Sequence, residues 1–168
     1  DSIGLGEDGP THQAVDQLPM LRAIPNTVTI RPADAKETAA AWAFAIKETS
    51  RPVNLILSRQ ALPNYENTGE NLFKGGYILK DFGEKPEVVL IATGSEVQLA
   101  YEVANSLHEK GISARAVSMP SMELFDEQSE EYKAEVLPKN TIRVAIEASS
   151  EQAWYCLLYT SDAADDSL

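Results

Sequence analysis

The sequence predicts an α/β protein made of two consecutive parallel-sheet units with flanking helices. Three observations lead there. Residues 52–58, PVNLILS, and 87–92, EVVLIA, are near-continuous apolar runs of the kind found in strands covered on both faces. Stretches with helix-cap chemistry and apolar residues at three- and four-residue spacing separate such runs. From residue 87 to 148 the order is strand, helix, strand, helix, strand, which calls for right-handed crossovers and a parallel sheet.

Taken in order, Thr11 is a candidate N-cap for a helix whose first turn carries His12 and Gln13, and Pro19 is expected to kink or divide it. TVTIR, residues 27–31, is a short β-rich run. Asp34 and Glu37 form a D-x-x-E capping pair at the head of a helix whose apolar face is expected to be Ala39, Trp42, Ala43 and Ile46, with Trp42 in the core. The strand at 52–58 then delivers Arg59 at its C-terminal end. Residues 61–74 are polar and turn-rich and are expected to link the two units.

A second unit begins near Gly75. After the strand at 87–92 comes the turn TGS, where Ser95 and Gln98 form a capping pair for a helix with Val97, Ala100, Tyr101, Ala104 and Leu107 on one face. Residues 93–95 could instead bind an anion at the helix start, and capping by Ser95 is the favoured reading. Gly111 closes that helix. Strands are expected at 113–119 and 141–148, with an acidic helix over about 126–136 between them. His108, at the C-terminal end of its helix, is expected to be structural.

The composition narrows the function classes. At 43% hydrophobic and 24% charged the 168-residue chain reads as an ordinary globular protein, not a disordered one. A formal charge of −12 argues against general affinity for nucleic acids or anionic membranes, which depends on clustered Lys and Arg. Cys156 is the single cysteine, so no internal disulfide forms, and no Cys/His cluster has metal-ligand spacing. This favours a reducing compartment such as the cytoplasm. No apolar run reaches the length of a membrane span, and the opening DSIGLGEDG has no signal-peptide character and no initiator Met, so Asp1 is not expected to be the natural start.

Within GLGEDGPTHQ, residues 4–13, Gly4, Gly6 and Gly9 have dinucleotide-fingerprint spacing, yet no strand precedes Gly4, Pro10 follows Gly9, and Glu7 and Asp8 would repel a pyrophosphate. A tight polar loop is expected instead, one that sets Asp8 and His12 at the mouth of a site. At a helix N-terminus His12 would be held neutral and suited to hydrogen-bonding hydroxyls.

GEDGPTHQ, followed in order by RPAD, LILSRQ, IATGSEV and VSMP, resembles the transketolase family from Asp1 to about Tyr155. Dihydroxyacetone synthase and deoxyxylulose-phosphate synthase, which share a related loop, are more distant fits. The resemblance implies transfer of a two-carbon ketol unit from a ketose phosphate to an aldose phosphate in the pentose phosphate pathway, with thiamine diphosphate and a divalent cation, Mg or Ca, as cofactors of a homodimer. It assigns Asp8 to a sugar hydroxyl, His12 to the reacting centre and Arg59 to the substrate phosphate, where a planar guanidinium fork suits phosphate oxygens. It divides the chain into the end of a pyrimidine-binding domain (1–60), a linker (61–74), a C-terminal domain lacking its final elements (75–156) and a tail from Leu157 that is not expected to be native. The cofactor's own ligands would lie outside this chain, so the isolated chain is expected to be inactive. The competing class is a non-enzymatic binding or regulatory module on the same fold.

Overall fold

The computed structural model describes Gly4, Gly9, His12, Gln13 and residues 15–158; Asp8, Thr11 and the tail beyond Leu158 lie outside the described residues. The first unit comprises α1 (Gln17–Arg22), β1 (Val28–Ile30), α2 (Ala35–Lys47) and β2 (Val53–Leu55). β1 and β2 pair in parallel, Val28 opposite Val53 and Ile30 opposite Leu55, with α2 as the crossover between them. β2 is only half-buried, not covered on both faces as expected, and among the described residues it pairs with β1 alone.

Helix α1 starts at Gln17, five residues later than the first helical position expected from Thr11 as N-cap, and Pro19 falls in its first turn. There the backbone N–H has no intrahelical partner, so the ring breaks nothing and the expected kink does not occur. His12 lies in a turn before the helix, its own N–H donating to the Gly9 carbonyl at 3.2 Å. His12 therefore does not stand at the helix N-terminus where the sequence places it.

At the head of α2, Asp34 accepts a hydrogen bond from the Glu37 N–H at 2.8 Å, as the capping pair predicts. The reciprocal bond is displaced by one residue: the Glu37 carboxylate takes the Ala33 N–H at 2.6 Å, together with the hydroxyls of Tyr77 (2.5 Å) and Ser118 (2.7 Å) from the second unit. Those bonds turn Glu37, Ala40 and Ala41 inward. The expected apolar face points outward, with Trp42 53% and Ile46 75% exposed, so Trp42 is not core. Residues 37, 40, 41 and 44 have the same helical spacing as 39, 42, 43 and 46. A helix this rich in alanine carries two apolar stripes, and side-chain bonding decides which one docks.

Burial raises the pKa of Glu37 above its ordinary 4.5, outweighing the lowering effect of its hydrogen bonds. A carboxyl raised in the folded state adds stability that is complete below its unfolded pKa and is lost as pH rises through the folded one. Denaturant unfolding is therefore expected to show the advantage of wild type over Glu37→Gln greatest near about pH 4 and shrinking as pH rises above it. An advantage that grew with pH would mean that the hydrogen bonds dominate.

The connection between the units is docked along its length. Tyr65 N–H and the Thr68 hydroxyl donate to Asp34 Oδ2 at 3.1 and 2.6 Å, and Leu72, in a 3-10 turn at Glu70–Lys74, is fully buried against Val28, Ile30 and Leu124.

The second unit contains β3 (Tyr77–Phe82), β4 (Val88–Ala92), α3 (Glu96–Glu109), β5 (Ala114–Ser118), α4 (Met122–Asp126), α5 (Glu130–Val136), β6 (Ile142–Ile146), a 3-10 turn at Glu151–Trp154 and α6 (Tyr155–Leu158). Its sheet order is β3-β5-β4-β6. β4 runs parallel to β5 and β6, as expected, but β3 is an unforeseen antiparallel edge strand on β5. Its sequence, YILKDF, mixes apolar and charged residues and is exposed at Lys80 and Asp81, so it lacks the continuous apolar character that marks the inner strands.

Successive β4 residues feed two cores. Leu90 and Ala92 pack against Val97, Ala100 and Ala104 of α3, the face the sequence predicts; Val89 and Ile91 pack against Phe125, Val136 and Trp154 on the other side. The acidic helix expected at about 126–136 is α5, which starts only at Glu130, where Ser129 accepts the Tyr132 N–H at 3.2 Å and caps it, while α4 before it was not expected. Gly111, at φ +85°, follows the end of α3 as expected.

Candidate functional site

The C-terminal end of β2 continues into Ser58, Arg59 and Gln60. Gly4 packs directly against this segment: a Cβ built on Gly4 would stand 2.7 Å from Gln60 Cδ. Gly4 and the segment carrying Arg59 thus meet just past the strand end, where α/β folds place ligands. His12 and Arg59 are both exposed. Asp8 is outside the described residues. Arg59 is flanked by two buried oxygens with no hydrogen-bond partner, Ser58 Oγ and Gln60 Oε1. Buried unsatisfied oxygens are rare, and a polyhydroxylated ligand would supply the donors they lack.

A second polar constellation, absent from the sequence reading, joins the two units. Arg31, at the end of β1, is fully buried and fills the C-terminal end of β4. Its Nη1 donates to the Thr93 carbonyl (2.7 Å), Thr93 Oγ1 (2.9 Å) and Glu96 Oε2 (2.5 Å), and its Nη2 to Ser95 Oγ (3.3 Å). Ser95 does not cap α3; its hydroxyl donates to Glu96 at 2.6 Å. The TGS turn therefore holds a guanidinium from the first unit.

Glu147, just past β6, accepts four hydrogen bonds: two from Arg22 at 2.7 and 2.8 Å, one from Thr93 Oγ1 at 2.5 Å and one from Trp154 Nε1 at 2.9 Å. Four donors use the capacity of an ionised carboxylate. Burial alone would raise the pKa of Glu147, but the bonds from Arg22 and Thr93 and the charges of Arg22 and Arg31 outweigh it and hold the group below the ordinary carboxylate range. No local motif announces these partners, since Arg22 and Glu147 are 125 residues apart. The available signal was the pair of charged residues, Arg31 and Glu147, standing immediately after apolar strands.

Among the described residues no three His, Cys, Asp or Glu side chains gather as a metal site, and no helix is long and apolar enough to cross a membrane. His108 is exposed beside Phe82, their ring centroids 6.4 Å apart.

Residues 1–64 match the family model of the transketolase pyrimidine-binding domain, and residues 75–165 that of the transketolase-like TK C-terminal domain. Transketolase 2 of Escherichia coli (strain K12) is 50% identical over 159 residues, 92% of this chain and 24% of the relative. Transketolase of Aquifex aeolicus (strain VF5) is 51% identical over 160 residues, covering 92% of this chain and 23% of its own length. A variant of Pichia stipitis transketolase in complex with fructose-6-phosphate superposes with a TM-score of 0.87 at 47% identity, and the same figures hold for a complex with sedoheptulose-7-phosphate; each match covers 92% of this chain and 23% of the solved one. A split-gene transketolase described as an inactive β4 tetramer matches at a TM-score of 0.68 and 30% identity, over 82% of this chain and 44% of its own. The chain spans about a quarter of the length of the curated relatives it matches. Two family domains matched in tandem, at half identity and with the same fold, mean that this chain belongs to the transketolase family.

Proposed function

We propose that this chain is the substrate-facing part of a thiamine-diphosphate-dependent transketolase that transfers a two-carbon ketol unit from a ketose phosphate to an aldose phosphate. The parent enzyme is read as a cytoplasmic homodimer of the pentose phosphate pathway that also uses a divalent cation, Mg or Ca. The ligands of the metal and the diphosphate are read as lying outside this chain, whose own role is to hold the sugar. The isolated chain is accordingly read as inactive, in keeping with the inactive tetramer formed by a split-gene relative.

The observation that carries this reading is the contact of Gly4 with Gln60, which puts the first glycine of the opening motif beside the Arg59 segment. Arg59 presents its planar fork to the substrate phosphate. Ser58 Oγ and Gln60 Oε1 accept from sugar hydroxyls. Asp8 reads a hydroxyl of the acceptor, and His12 serves as the catalytic group that hydrogen-bonds the sugar beside the reacting carbons. The sugar phosphates held by the Pichia stipitis relatives support the substrate class.

The test uses a full-length enzyme in which this chain replaces the matched segment of a relative. Arg59→Ala is expected to lower kcat/KM with a phosphorylated acceptor by roughly 10–150-fold, the worth of about 1.5–3 kcal/mol of charge-assisted hydrogen bonding, and far less with glycolaldehyde. Arg59→Lys should recover part of the loss, since an ammonium restores charge without the fork. Asp8→Ala should penalise acceptors with a 2-hydroxyl more than those lacking one. Equal losses across all acceptors for both variants would assign these residues to the fold instead.

A further inference from the structure

Catalytic loops that precede a short helix depend on whatever fixes that helix, and here the fixing groups come from the other unit. The chain between His12 and α1 is tied down at Val15, whose carbonyl accepts the Ser149 hydroxyl at 2.8 Å. The last residue of α1, Arg22, is gripped through both terminal nitrogens by Glu147, and the side chains of that pair are only 6% and 1% exposed. Trp154 bonds the same carboxylate and lies under the guanidinium, 6.0 Å from ring centroid to Cζ. Glu147, Ser149 and Trp154 all follow β6 within eight residues, so one rigid strand end holds the segment downstream of His12 at two points.

We propose that Glu147 and Ser149 are positioning residues for the reaction, setting the His12 loop through Val15 and α1. The second unit is thereby given a part in catalysis through the anchor it supplies. This rests on the reading of His12 as a site residue. A reacting group displaced by about 1 Å costs on the order of 100-fold in rate, which is the scale on which such an anchor acts.

A double-mutant cycle in the full-length chimaeric enzyme tests the proposal. Glu147→Gln places an amide N–H₂ among four donors and is expected to lower kcat by roughly 10–100-fold with little change in KM for the acceptor. Ser149→Ala, which removes one surface hydrogen bond and leaves the core intact, is expected to lower kcat by roughly 3–10-fold. In a His12→Ala background both penalties should shrink to within about twofold, because residues acting through one group are not additive. Hydrogen exchange of the amides between His12 and Arg22 in the 168-residue chain should quicken in both single variants. Penalties of equal size with and without His12, or unchanged exchange, would overturn the positioning role alone. Full activity of His12→Ala would overturn the proposed function, and this inference with it.

Discussion

Arg31→Met is expected to destabilise the chain by about 3–5 kcal/mol, the range found when one member of a buried ion pair is removed and the other is left behind. The Arg31 side chain is 1% exposed, and its loss removes one donor from the Thr93 carbonyl and one from Glu96, whose own side chain is 14% exposed. Glu96 keeps the Ala148 N–H at 3.1 Å and the Ser95 hydroxyl, which compensate in part. For a chain of this size the loss corresponds to a fall in Tm of roughly 6–20 °C. Arg31→Lys should fall between the two, since one ammonium cannot reach the carbonyl, the hydroxyl and the carboxylate in the geometry of the fork. Thermal unfolding of the three proteins side by side is the measurement. A loss below about 1 kcal/mol for Arg31→Met would mean that the guanidinium only fills space.

The second large effect is expected at Gly75. This residue sits at φ +77° where the connection enters the second unit, and its carbonyl accepts the Ser121 N–H at 2.9 Å. A Cβ there would collide with the backbone of Leu124 and Phe125 and with the Ser121 carbonyl, none of which can rotate away. Gly75→Ala should therefore cost about 1–2 kcal/mol for the left-handed conformation and a further ~1–3 kcal/mol for displaced packing. Gly111 makes the comparison clean: its φ is +85°, and nothing stands within 4 Å of the built Cβ. Gly111→Ala should show the conformational cost alone. Equal losses at the two glycines, measured by denaturant unfolding, would dismiss the collision.

The inner strands were legible in the sequence because burial on both faces leaves a continuous apolar run, as in Val88–Ala92. The buried face of α3 was legible too, since Val97, Ala100 and Ala104 carry a single apolar stripe. α2 was misread because it has two stripes and the choice lies with Glu37, whose partners Tyr77 and Ser118 are remote in sequence. β3 escaped notice because it is an edge strand with charged residues in its ladder. The family assignment follows from motifs that stand in one order along the chain. The Arg31 and Glu147 bonds do not, because what makes a buried charge tolerable is the set of groups around it in space.

The bond between Arg22 and Glu147 also orders events during synthesis. Its two ends are separated by 125 residues, so at ~5–20 residues per second a nascent chain makes the second roughly 6–25 s after the first. Throughout that interval α1 is without its anchor, and β1 lacks the strand end that receives Arg31 until residue 93 has emerged. Of the two units in this chain, the first is made earlier yet gains its Arg22 and Arg31 partners only as the second is made. While it waits, Val28, Ile30 and the apolar side chains of α2 remain open to other contacts, which makes elongation the period when the chain depends most on protection from association.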